Sequence, residues 1–172
     1  MLTSAEFEAT RRVKVKTPFE LLVGMIRATG ATVDPVAGGP ATATIGDQLD
    51  RLGHAKWSWP TPDGIPDDPN HWITTSTLLR RWELAGRLAN VRLDGITLDR
   101  ASLVPSPAPA TVGEHVRALA TRLGTGVDET ALSAICAFLG TTHDAPVAAA
   151  DLARLGGDVI GMLLSAPAYQ YR

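Results

Sequence analysis

Residues 53–72 gather three tryptophans, two histidines, three aspartates and four prolines into one short stretch. Indole faces stack on sugar rings or apolar ligands, and carboxylates and imidazoles contact the polar groups of the same molecule. Trp57, Trp59, Asp63, His71 and Trp72, with Arg81 a little further on, are the residues such a ligand would meet. Asp63, Asp67, Asp68 and Asn70 offer a second chemistry, because a hard cation such as calcium collects several oxygens from one loop. Their spacing departs from the EF-hand register, and prolines interrupt it. A structural reading competes with both and is favoured. Trp57, Trp59 and Trp72 pin an irregular loop over neighbouring helices, Asp and Asn side chains make local turns, and Pro62-Asp63-Gly64 is the clearest turn.

The remaining nucleophiles and ligands carry no catalytic pattern. His54 and His71 lack the i, i+4 spacing of a zinc pair, and His115 and His143 stand alone, one on a helix edge and one in a loop, as surface or hydrogen-bonded groups. Ser76 lies in Thr74-Thr75-Ser76-Thr77, which reads as helix capping, and Cys136 falls on an apolar stripe as an inert core thiol. There is no Gly-x-Ser-x-Gly, phosphate loop or dinucleotide fingerprint. The residues imply no cofactor, no resident metal and no reaction for this chain alone.

These groups are carried by helices. Thr17-Pro18-Phe19-Glu20 is a capping box with proline at the first helical position, and Gly30 closes that helix. A second helix is expected from Thr42 to Leu52 and a third from Thr75 to Asn90. On the third, Leu78, Trp82, Ala85 and Ala89 share one face, Leu84, Leu88 and Val91 another, and Glu83 and Arg87 pair at i, i+4. Arg81 projects between the two apolar faces and requires a partner. Thr111 and Glu114 form another capping box, Asp128 caps a helix bearing Leu132, Ile135, Cys136 and Leu139, and Pro146 opens a last stretch expected to bend or break at Gly156-Gly157. The expectation is an all-α, irregular array of six to seven helices with one long Trp/Pro/Asp-rich loop at 53–74.

Composition narrows the class of molecule. The chain has 172 residues with 45% hydrophobic and 20% charged, enough to bury a core without staples. Residues 1–90 form a helical first half, 91–111 a connector rich in proline at Pro105-Ser106-Pro107-Ala108-Pro109, and 112–172 a helical second half that shares one core with the first. A net charge of -2 supplies no field to hold a nucleic acid. The basic run from Arg11 to Lys16 reads as a solvated connector. One cysteine excludes an internal disulfide, no apolar stretch approaches the ~20 residues of a spanning helix, and no signal peptide is visible, so a soluble chain of open compartment is expected.

Several motifs in order resemble a known family. Lys16-Thr17-Pro18-Phe19-Glu20-Leu21-Leu22-Val23-Gly24, then Trp59-Pro60-Thr61-Pro62-Asp63-Gly64, then Trp72 with Arg81-Trp82, and the ending from Leu163 to Arg172, look like the C-terminal part of bacterial proteins catalogued as domain of unknown function eighteen-hundred. Ala168 stands where glutamate is common in that ending, and Tyr169 replaces phenylalanine. The resemblance implies an all-helical fold and longer relatives with an N-terminal helical portion, and it implies no reaction. Neighbouring genes in that family hint at extracytoplasmic work. The expected role is a structural or interaction module, a fragment whose partners are its own missing N-terminal region or another protein. The alternative is part of an enzyme or carbohydrate-binding protein with its site in the 53–72 loop.

Overall fold

In the computed structural model the described residues are Ser4, 14–54, Trp59, 61–62, 64–66 and 68–171. Helix α1 spans Pro18–Thr29: the Thr17 hydroxyl accepts from the Glu20 amide, the Glu20 carboxylate accepts from the Thr17 amide, and Gly30 at φ 66° ends it. Helix α2, Pro40–Arg51, starts two residues before the expected Thr42 because Pro40 itself presets the first helical φ. Helix α3 is the single turn Pro69–Trp72, capped by the Asp68 side chain on the Asn70 amide. Helix α4, Thr75–Ala89, opens on a capping box of Thr74 and Thr77.

Helix α5, Val112–Arg122, is capped by Thr111 and Glu114, and α6, Glu129–Phe138, by Asp128. Helix α7 runs without interruption from Ala149 to Ser165, so neither a start at Pro146 nor a break at Gly156-Gly157 occurs. Pro146 instead bridges to Thr111, beside a bond from the Val112 amide to the Ala145 carbonyl. Helix α8 is the turn Pro167–Gln170. The described residues thus hold eight α-helices, more than the six to seven expected, because two are four-residue turns with little periodicity to read.

The connector is less bare than its prolines suggest. Strand β1, Thr32–Val33, pairs antiparallel with β2, Ile96–Thr97, in the register Thr32 to Thr97 and Val33 to Ile96. Leu93, Ile96, Leu98 and Leu103 are buried in the same cluster as the helices. The architecture remains all-α, with this two-strand ribbon as its only sheet among the described residues.

The main interface is α4 against α7, with α5 also on α7. Leu84, Ala85, Leu88 and Ala89 of α4 join Val159, Ile160, Leu163 and Leu164 of α7 and Leu21, Leu22 and Met25 of α1 in one core. The two long helices pass close to each other at Gly86 and Gly161. A Cβ at Gly161 would sit 3.7 Å from both the Gly86 Cα and the Ala89 Cβ. Each glycine inside a helix costs about 1 kcal/mol of propensity against alanine. Burial along the α4–α7 seam outweighs that cost and keeps α7 whole. Glu83 and Arg87 do not pair as their spacing predicts; the Arg87 guanidinium reaches the Arg92 carbonyl at 3.4 Å. An exposed pair of this kind contributes too little to fix two long side chains.

Candidate functional site

The loop packs its rings on one another. Trp72 is 2% exposed, and its indole N–H donates to the Pro66 carbonyl at 2.8 Å. The His54 ring stacks on it at 5.3 Å, Phe19 of α1 meets His54 edge-on at 6.5 Å, and the exposed His71 lies edge-on to Trp72 at 4.6 Å. Trp59, partly exposed, completes the row at 5.4 Å from His71 and donates to the Thr61 hydroxyl at 3.0 Å. Five rings therefore run from the start of α1 out to the surface. Asp68 and Asn70 are occupied locally, since one Asp68 oxygen accepts from both the backbone and the side-chain amide of Asn70. Trp57, Asp63 and Asp67 lie outside the described residues. Among the described residues no three His, Cys, Asp or Glu side chains gather as a metal site would require.

Arg81 stands apart from that row. Its side chain is 0% exposed; one terminal nitrogen donates to Gln170 Oε1 at 3.2 Å and the other to the Lys16 carbonyl at 2.8 Å. Its Nε is buried without a hydrogen-bond partner, and among the described residues no carboxylate pairs with it. Burial lowers its pKa to about 10, which still leaves the guanidinium charged at neutral pH. Carbonyl dipoles carry that charge. They come from both ends of the described chain, because the Lys16 amide donates to the Gln170 carbonyl and Val15 bridges to Tyr171. The Lys16 ammonium adds a bond to the Tyr169 carbonyl at 2.6 Å and sits 3.7 Å over the Tyr169 ring. Burial pushes the Tyr169 hydroxyl up to about 12.

The next residue faces the other way. Trp82 was expected in the core with Leu78, Ala85 and Ala89, yet it is 43% exposed, held by its indole N–H to the Ser165 carbonyl at 3.1 Å. It forms one wall of a groove of about 330 Å³ between α4 and α7, floored by Gly86, Gly157 and Gly161 and bounded by Met162 and Phe138. Phe138, the last residue of α6, is 67% exposed. On the other side of Trp82 lies a smaller cavity of about 170 Å³, lined by Ile73, Leu78 and Tyr171 among others. Sequence reasoning missed this face. The available signal was Gly86, one turn after Trp82, which leaves an indole on that side nothing to pack against.

His115 also differs from expectation. It is buried on α5, and neither ring nitrogen meets a hydrogen-bond partner. Burial lowers its pKa, with a smaller opposing pull from the Leu152 backbone. His143 is exposed and touches Asp144 at 2.9 Å. Cys136 is buried, and burial raises its thiol pKa, as befits an inert core group.

The motifs that carried the resemblance therefore meet in space: Lys16 and Gln170 on Arg81, and Ser165 on Trp82. Residues 1–171 match the family model described as Protein of unknown function (DUF1800). The chain belongs to this family. No curated protein and no solved structure matches it. For this member of the family, Arg81 is a clamp that joins residues distant in sequence, and Trp82 is its outward-facing neighbour. No helix among the described residues is long and apolar enough to cross a membrane.

Proposed function

We propose that the chain is a non-catalytic helical module that docks on another protein surface, either a further region of a longer chain or a separate partner, through the face around Trp82 and Phe138. The observation that carries this reading is the pair of exposed aromatic side chains beside an unfilled groove. Aromatic residues that bridge an apolar groove and solvent are the commonest anchors of protein interfaces. Arg81 and Trp72, the strongest of the loop-centred candidates, are spent on internal bonds. A photoreactive amino acid at position 138 of the full chain, activated in the producing cell, tests the reading. A discrete adduct that Trp82→Asp removes, with none from the exposed position 36, is expected; no discrete adduct from position 138 overturns it.

A second reading keeps a ligand, carbohydrate by class, at the 53–72 loop. It is supported by the two surface groups His71 and Trp59, which stand edge to face at 5.4 Å. A thermal-shift screen against oligosaccharides and calcium checks it, and a flat response to every member of the panel removes it.

A further inference from the structure

We infer that the occupant of the Trp82–Phe138 face is a second copy of this chain, packed about a twofold axis; the inference rests on the docking reading above. An interface of that symmetry must be complementary to itself, since the same patch supplies both sides. The face meets that condition in shape. Phe138 projects at one edge of the groove, while Gly86, where a Cβ would meet nothing within 4 Å, leaves open space in its lining, so one patch holds both a knob and a hole.

The face meets the condition in charge as well. Asp158 lines the groove and is exposed, with no ion pair or hydrogen bond to its side chain among the described residues. The Arg100 guanidinium packs directly over Gly157, next to Asn90, and likewise makes no ion pair or side-chain hydrogen bond there. Next to Trp82 on α4, Glu83 is exposed and makes no ion pair among the described residues, and Arg87, one turn on, reaches only a backbone carbonyl. Charges of both signs thus flank one apolar groove without neutralising each other. A partner of a single sign would leave one set unpaired, whereas a twofold copy brings each cation to an anion.

Sedimentation equilibrium of the purified chain over about 1 to 200 µM tests the inference, because a self-associating protein changes mass with concentration. A monomer–dimer equilibrium is expected, abolished by Phe138→Asp and weakened at least about tenfold by Asp158→Arg, both at exposed positions that leave the far-UV spectrum unchanged. Adding Arg100→Asp to Asp158→Arg restores the dimer. A monomer at every concentration, or a dimer indifferent to Phe138→Asp and to the charge reversal, overturns the inference. If the chain is monomeric while position 138 still crosslinks to a product of another mass, the second-copy assignment fails and the docking reading stands. If position 138 forms no adduct, both fail.

Discussion

The Arg81 guanidinium and the Gln170 side chain meet at 3.2 Å across 89 positions of sequence, in a place where the arginine has no access to water. Gln170 is held for this role from its other end, where its amide nitrogen donates to the Leu164 carbonyl at 2.9 Å. The amide is thereby oriented with its oxygen toward the cation. Gln170→Ala should cost about 1–3 kcal/mol, because a charged donor is left buried with one acceptor fewer. Urea unfolding measures it, and a midpoint equal to that of the parent chain would contradict the clamp.

Truncating tryptophans should separate anchor from surface. Trp72→Ala removes a fully buried indole and is expected to lower stability by about 3–5 kcal/mol. Trp59→Ala, at a partly exposed ring with only a local bond to Thr61, should cost about 1 kcal/mol. Equal losses at the two positions would show that the outer end of the ring row is as buried as the inner.

His115 predicts an acid limb in stability. Its pKa is lowered from the ordinary 6.5 by burial, so the unfolded chain takes up the proton first. Stability from this group is complete above pH 6.5 and falls as the pH drops below it toward the depressed folded value. His115→Leu should flatten the melting temperature against pH in that window. An acid limb of unchanged slope in the variant would assign it to other groups.

Gly95 predicts a large loss from a small substitution. It adopts φ 73°, and an added Cβ would run into the Ala41 backbone at the start of α2. Gly95→Ala should therefore lose more than about 2 kcal/mol, combining left-handed strain with a backbone shift. Gly161→Ala makes the opposite case: its Cβ would find only ordinary contacts at 3.7 Å, so α7 should gain about 0.5–1 kcal/mol. Calorimetry on the two variants should show melting temperatures displaced in opposite directions.

What the sequence made legible was local chemistry. The caps at Thr17, Thr111 and Asp128 involve side chains within three residues of the amides they serve, and each forms as its spacing predicts. The need of Arg81 for a partner was equally legible, but not its identity, since Lys16 and Gln170 lie 65 and 89 residues away. Helix α7 passes through Gly156-Gly157 because its neighbours, rather than its own propensity, hold it. The pairing of β1 with β2 and the exposure of Trp82 likewise depend on what stands across the gap. Of the loop residues named as ligand contacts, His71, Trp72 and Trp59 come together in one row, Arg81 belongs to a different part of the molecule, and Trp57 and Asp63 lie outside the described residues.

The clamp on Arg81 also sets an order of events during synthesis. Gln170 is added 89 residues after Arg81, so the guanidinium cannot meet it until that whole stretch has been made. Until then the guanidinium has, of its two acceptors, only the Lys16 carbonyl to bind. The set of acceptors around that buried cation is therefore complete only once residues 164–171 are in place.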